Sequence, residues 1–399
     1  MQYRSFGAID LRPSALGFGA MRLPQLADGV DAPPSPYGRI DVETANAMLR
    51  RAVEAGVNYV DTAYPYHDGA SERWLGQALR VVARDLCGPG DAGLAELRSR
   101  LKVATKLPMW KLESHDDCER YFSEQLERLQ LDAVDFYLLH GLRAGSVAKL
   151  REYGVLEWAE KALADGRIGH LGFSFHDQYP VFEEVVDATD LWELCQIQYN
   201  YMDEDYQAGT AGLNYAAEKG LGIVIMEPLR GGVLAKETSE IKKIWASGGQ
   251  SRAAAEWGLC WLWNRPEITV VLSGMSTMQQ VKDNMSYAND GKPSSLTVND
   301  LEVYEQVKTF YSSRIKIPCT NCRYCQPCMV GVGIPDCFAA YNDAFIYKDT
   351  AAAKFSYDTF TVSGGDASQC QDCGVCESLC PQKILIRERL KEVVSIFGH

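Results

Sequence analysis

Short strand-like runs alternate with helical stretches over residues 1–290 and predict an α/β fold, an eight-stranded (β/α)8 barrel; two tight groups of cysteines near the C-terminus predict a small, largely helical domain after it. The runs are nearly continuous in hydrophobicity, as parallel strands covered on both faces should be. Several of them finish on a polar or reactive side chain, and a barrel gathers such strand ends on one face.

In order, the strand runs are 15–21, 58–63, 102–107, 134–140, 170–175, 194–200, 221–227 and 268–274. Helical apolar spacing lies between them at 42–55, 71–83, 116–129, 155–165, 208–219, 252–263 and 277–287. An open doubly wound sheet is the competing architecture, but no G-x-G-x-x-G stands at any strand-to-helix turn. Two segments interrupt the alternation. Residues 22–40, with Leu23, Pro24, Pro33, Pro34 and Pro36, read as a proline-rich loop after the first strand; residues 84–100, with Gly88, Pro89, Gly90 and Gly93, read as an extended connection. The barrel is expected to span 1–290. A linker and one helix (300–313) follow over 291–314, and the cysteine domain occupies 315–399. Within that domain, 338–345 and 350–357 look helical, and Gly364-Gly365 closes the stretch.

The second cysteine group reads Cys370-x2-Cys373-x2-Cys376-x3-Cys380-Pro381, the bacterial ferredoxin spacing for 4Fe–4S ligation. The first reads Cys319-x2-Cys322-x2-Cys325-x2-Cys328. Two-residue gaps let successive thiolates curl around one small cubane. In two-cluster ferredoxins the last cysteine of a run serves the other cluster. Crossing of that kind puts one cluster on Cys319, Cys322, Cys325 and Cys380, and the other on Cys328, Cys370, Cys373 and Cys376. Zinc is the alternative, although its structural sites pair two knuckles across a longer gap. A disulfide framework suits neither the length nor the absence of a leader-like start. Cys337 is spare on this reading, and Cys87, Cys118, Cys195 and Cys260 are packing residues.

The net charge of −13, from 40 basic and 53 acidic residues, argues against nucleic acid as a partner. No apolar run is long enough to span a bilayer. Eight ligand-like cysteines out of thirteen point to a reducing cytoplasm.

Asp61, Lys106, His140, Ser174, Asn200 and Glu227 close six different strand runs. With Tyr66, the first three make a chemical set. A phenol is a poor acid at neutral pH, with a reference pKa of about 10. A nearby ammonium favours the phenolate and lowers that value. Asp61 could hold Lys106 charged and in place, while His140 bonds and orients a carbonyl oxygen.

At these residues the chain resembles the aldo-keto reductase superfamily. The carrying segments are NYVDTAYPYHDGASERWLG, VATKLP, DFYLLHGL, GHLGFSF, QIQYN, MEPLRGG and VLSGMSTMQQVKDN. With the cysteine groups, the whole chain resembles the iron–sulfur branch of that superfamily. The resemblance implies NAD(P)H-linked reduction of a carbonyl, or oxidation of an alcohol, with Tyr66 as general acid and Lys106, Asp61 and His140 supporting it. It implies Ser174 and Gln196 on the nicotinamide carboxamide, and Glu227, Leu229, Arg230, Gly274, Gln280 and Asn284 as further cofactor positions. Four positions depart from the family pattern. Phe175 replaces the asparagine after the serine, Met226 replaces the stacking aromatic, and Gly274 and Gln280 stand where cations hold a 2′-phosphate. NAD versus NADP therefore stays open, with a flavin at the barrel mouth as an alternative.

Clusters move single electrons, so three readings compete. The barrel and clusters exchange electrons, with a ferredoxin-like partner outside; or the barrel is a plain carbonyl reductase with structural or oxygen-sensing clusters; or the chain is a non-catalytic electron-transfer subunit. Trp110, Tyr64, Phe173, Phe175 and Tyr201 are either substrate-pocket liners or core.

Overall fold

The computed structural model describes residues 1–26, 39–361 and 364–398. Pro33, Pro34 and Pro36 of the proline-rich loop lie outside them. Eight parallel strands close into a barrel in chain order, β1 pairing with both β2 and β8. They are β1 (Leu16–Gly19), β2 (Tyr59–Asp61), β3 (Lys102–Leu107), β4 (Val134–Leu142), β5 (Ile168–Phe175), β6 (Leu194–Gln198), β7 (Gly222–Met226) and β8 (Val270–Ser273). Each falls within two residues of its predicted run at either end.

The predicted helices form as α1 (Val42–Glu54), α2 (Ala70–Leu86), α4 (Asp116–Leu129), α6 (Val155–Ala164), α8 (Gly209–Glu218), α10 (Ala254–Trp263) and α11 (Met278–Asp290). Three more were not anticipated: α5 (Ser146–Glu152), α7 (Tyr179–Val186) and α9 (Ser239–Ser247). They run 7, 8 and 9 residues, too short for an apolar repeat to register. The connection expected at 84–100 is corrected. Gly88 and Gly90 turn the chain with φ of 116° and 75°, and a separate helix, α3 (Gly90–Arg100), follows. Alanine, leucine, glutamate and arginine after the turn are good helix formers, so the glycines mark a break and not a loop.

Side chains alternate across a strand, so every second residue points into the barrel. Tyr59, Ala104, Phe136, Leu138, Leu194, Val224, Val270 and Leu272 do so, and form one buried cluster with Phe6. Phe6 lies edge-on to Phe136 at 5.2 Å and closes this apolar plug. Two residues further along the same inward rows stand Asp61, Lys106, His140 and Gln196. The alternation that builds the core therefore delivers polar groups to the C-terminal ends of the strands.

The chain divides into two compact units, Met1–Pro228 with Leu259–Ser295, and Leu229–Gly258 with Leu296–His399. The sequence reading placed 229–258 with the barrel; here this segment packs with the C-terminal one. In that second unit Trp245 stacks on Trp257 at 4.9 Å, and Tyr304 of α12 (Val298–Ser312) meets both edge-on at 5.4 Å. Lys236 pairs with Asp343 at 2.8 Å. The unit also holds α13 (Ile334–Ile346), α14 (Thr350–Thr361), α15 (Val375–Leu379) and α16 (Ile386–Phe397). Its core is apolar, with Ile317, Phe338, Tyr357, Leu390 and Phe397 buried together. Gly231 is obligatory here: its φ is 68°, and a Cβ on it would lie 2.1 Å from the carbonyl oxygen of Thr320. The turn after β7 is thus seated directly on the first cysteine run.

Candidate active site and cysteine-lined cavity

Lys106 organises the barrel site. Its ammonium donates to both Asp61 carboxylate oxygens at 2.7 Å, to the Thr62 carbonyl at 2.9 Å and to the Tyr66 hydroxyl at 3.4 Å. Lys106, Asp61, Tyr66 and His140 are all buried. Burial pushes the Asp61 carboxyl up and the Lys106 ammonium down, each against the pull of its partner. The Tyr66 ring lies under the ammonium, 5.0 Å from nitrogen to ring centre. Because Lys106 donates, Tyr66 accepts through its oxygen and keeps its own proton to give elsewhere.

A strained turn presents the tyrosine. His67, Asp68 and Gly69 follow it with φ of 51°, 54° and 86°. His140 lies edge-on to the Tyr66 ring at 6.1 Å and to Trp110 at 5.0 Å. Its basicity falls well below the usual histidine range, through burial first and then the charges of Lys106 and His176, so it is a neutral imidazole at physiological pH.

His176 was not singled out from the sequence. It sits one residue past the end of β5, and a third histidine at a strand terminus was the available signal. Burial brings its pKa down to about 4, with Gln207 opposing through a hydrogen bond and Arg143 and Lys106 adding to the fall. The unfolded chain binds a proton near pH 6.5 that the folded chain refuses. The His176 contribution to stability is therefore complete above pH 6.5 and is lost as pH falls from 6.5 towards 4. We expect the melting temperature to drop across that window. His176→Gln should flatten the slope by up to about 1.4 kcal/mol per pH unit; an unchanged slope would show that His176 titrates normally.

Of the anticipated cofactor residues, Ser174 and Gln196 are brought together as register partners on β5 and β6. Ser174 accepts from the Gly141 amide at 2.8 Å. The Gln196 amide nitrogen reaches the Met226 sulfur at 3.6 Å, while its buried Oε1 has no hydrogen-bond partner among the described residues. A carboxamide N–H fits that acceptor. Asn284 donates to the Ser273 hydroxyl at 3.0 Å. The Gln280 side-chain oxygen is committed elsewhere: it completes a capping box with Thr277 at the start of α11 and accepts from the Ser276 amide at 2.8 Å. At Gly274 the carbon chain of Arg22 lies 3.2–3.3 Å from where a Cβ would sit, so the stem of this arginine, just after β1, fills this corner. Glu227 follows β7 with φ 54°, and its carbonyl accepts from Asn200 at 3.3 Å. Asn200 also bonds Asp203 and Met202, which makes it a loop clasp. Leu229 and Arg230 belong to the second unit, and Arg230 opens its first turn with φ 48°. Phe173 and Phe175 are fully buried against Phe182, and Tyr201 is buried near Trp261, so these three are core. Trp110, by contrast, is 44% exposed beside His140.

In the second unit a small, partly open recess is lined by Cys319, Cys322, Cys325 and Cys380, with Ile334 and Phe338 among its apolar walls. Burial raises the Cys325 thiol first, followed by the charges of Cys319, Cys380 and Cys376. Cys376 is pushed up to about 11 by burial, then by Glu377 and by Cys370, Cys328 and Cys373. Cys325 thus feels thiols of both runs, Cys319 on its own and Cys380 and Cys376 on the other. Among the described residues no three His, Cys, Asp or Glu side chains converge as the ligands of a single metal ion would. Cys337 is buried against the Gly365 carbonyl and stands apart from both groups.

The closed parallel barrel carries a buried Lys–Asp pair beside a tyrosine at the ends of its strands. The chain belongs to the Aldo/keto reductase family, whose profile matches residues 15–296, and it is an oxidoreductase. It is 28% identical over 306 residues to L-galactose dehydrogenase of Arabidopsis thaliana, covering 72% of this chain and 88% of that one. It is 27% identical to pyridoxine 4-dehydrogenase of Escherichia coli K12, covering 68% and 88%. The holo form of aldo-keto reductase AKR11C1 from Bacillus halodurans superposes with a TM-score of 0.59 at 24% identity, covering 77% of this chain and 96% of that one, a likeness of fold alone. The cysteine-bearing segment lies beyond the family match. Among the described residues no helix is long and apolar enough to cross a membrane.

Proposed function

We propose that the barrel interconverts a carbonyl and an alcohol with NAD(P)H, Tyr66 serving as general acid, and that the second unit is a ferredoxin-type module with two 4Fe–4S clusters. The observation that carries the first part is Lys106, held between the Asp61 carboxylate and the Tyr66 hydroxyl in a buried barrel end. A bound nicotinamide supplies the hydride that reaches the carbonyl carbon. Tyr66 gives its hydroxyl proton to the carbonyl oxygen, so hydride and proton together complete the alcohol. Lys106 stabilises the phenolate left behind, and Asp61 keeps the ammonium in place. Neutral His140 orients the carbonyl oxygen by donating a hydrogen bond. Ser174 and Gln196 would hold the carboxamide, with Glu227 and Asn284 towards the rest of the dinucleotide. Gln280, whose side-chain oxygen closes the capping box, could join that set through its amide nitrogen.

The cluster part rests on the spacing of the two cysteine runs and on the recess that Cys319, Cys322, Cys325 and Cys380 line. Cys319, Cys322, Cys325 and Cys380 would ligate one cluster, and Cys328, Cys370, Cys373 and Cys376 the other. Such clusters store one electron each, so a pair matches the two electrons of one hydride. Exchange with the barrel, or with a ferredoxin-like partner, is the role this suggests.

The test is anaerobic. The purified chain is mixed with NADH or NADPH and a panel of aldehydes and ketones while the visible spectrum is recorded. We expect nicotinamide added alone to bleach the broad iron–sulfur absorption, its two electrons passing to the two clusters and its proton to solvent, and, in a separate mixture, a carbonyl to consume one nicotinamide per alcohol formed. Reduction of a carbonyl with the absorption unchanged would leave the clusters outside the reaction. Failure to bind either nicotinamide would overturn the barrel assignment.

A further inference from the structure

Behind the catalytic strand lies a buried carboxylate that the proposed chemistry does not use. Glu72 of α2 is completely buried. One of its oxygens accepts from the Thr105 hydroxyl and from the Gln125 amide, both at 2.6 Å; the other accepts from Arg128 at 3.1 Å. Thr105 precedes Lys106 on β3 and points outward, towards the helices, as Lys106 points inward. The same Gln125 nitrogen lies 3.0 Å from the Lys106 carbonyl oxygen. The Gln125 oxygen accepts from Tyr137 of β4 at 2.7 Å, so the amide is locked at both ends.

Arg128 ties this cluster to the other half of the site. Its guanidinium stacks over the Tyr64 ring at 4.1 Å and points a nitrogen at the Tyr64 carbonyl at 3.5 Å. It also pairs with Glu124. Its nitrogen lies 3.4 Å from where a Cβ on Gly69 would be. Residues 64 and 69 bracket the strained turn that presents Tyr66. Left-handed residues in succession persist only where their surroundings hold them.

We propose that Glu72 and Arg128 are a positioning pair for the reaction, fixing the strand that carries Lys106 and the turn that carries Tyr66 relative to each other. The proposal rests on Tyr66 and Lys106 acting in proton transfer. A buried ion pair is poor evidence of stabilisation, because taking both charges out of water costs about as much as their attraction returns. A geometric role fits its partners: Thr105 adjoins Lys106, Gln125 holds the Lys106 carbonyl, and Arg128 reaches the Tyr64 carbonyl before the Tyr66 turn. An error of about 1 Å in such a site can cost about a hundredfold in rate. The Glu72 charge also favours the protonated form of Lys106. The titratable and charged groups around that ammonium are Asp61, Tyr66, His140, His176 and Glu72, and those around Glu72 are Arg128, Glu124 and Tyr137.

The experiment compares Glu72→Gln and Thr105→Val with the parent chain, loaded with its cofactors, and with Tyr66→Phe as control. Glu72→Gln should lower kcat tenfold or more, move the basic limb of its pH profile to lower pH, and leave nicotinamide affinity within twofold. Thr105→Val keeps the charge, so it should lower kcat less and leave the limb in place. A lower melting temperature with kcat and the pH limb unchanged in both variants would make the pair merely structural. If Glu72→Gln does not fold, Thr105→Val decides by its kcat alone: an unchanged value overturns the proposal. Retained activity in Tyr66→Phe would instead overturn the assignment of the acid, a separate failure.

Discussion

Tyr66→Phe is expected to abolish carbonyl reduction while leaving the barrel folded and able to bind nicotinamide. The substitution removes one oxygen from a buried ring and nothing else. That oxygen takes only the longest of the Lys106 contacts, 3.4 Å against 2.7 Å to each Asp61 oxygen, so the Lys–Asp pair should survive its loss. General acid catalysis by a positioned side chain contributes about 10²–10⁴-fold, and a fall in kcat of that size is expected. Nicotinamide fluorescence on binding should be unchanged, because Ser174 and Gln196 lie on β5 and β6, away from the Tyr66 turn. A variant with more than a tenth of the parent kcat would show that the proton comes from elsewhere, with neutral His140 the next group to test.

Single cysteine substitutions in the second unit are expected to remove clusters in a crossed pattern. Cys380→Ala and Cys322→Ala should lose the same cluster, although they lie in different runs. Cys328→Ala and Cys373→Ala should lose the other. Iron should fall from about eight to about four atoms per chain in every case, and electron paramagnetic resonance of the reduced protein should show which signal is gone. If Cys380→Ala and Cys373→Ala lose the same signal, each run serves its own cluster. If the parent chain holds zinc and no iron, the iron–sulfur assignment falls. Six of the eight cysteines also pack against the apolar core of this unit. Loss of a cluster should therefore lower the unfolding temperature of the unit as well as its redox capacity.

Much of the barrel was legible because its signals are local. Strands buried on both faces must be apolar throughout, and the eight runs stood out for that reason. Period-two alternation then placed Asp61, Lys106 and His140 one inward step beyond Tyr59, Ala104 and Leu138. The cysteine spacing was equally local. Four of those cysteines, Cys319, Cys322, Cys325 and Cys380, share the lining of one recess.

What the chain could not show beforehand depends on meetings between distant segments. Glu72 and Arg128 are 56 residues apart, and each reads locally as an ordinary helix charge. Only the packing of α2 and α4 over β3 makes them one buried pair. Residues 229–258 follow a barrel strand, yet Trp245, Trp257 and Tyr304 bind them to the C-terminal unit. Arg22 comes to the side of Gly274 from the far end of the barrel sequence. Periodicity records which side of an element is buried. It carries no record of which neighbour buries it, and the groups behind the catalytic strand are set by that second choice.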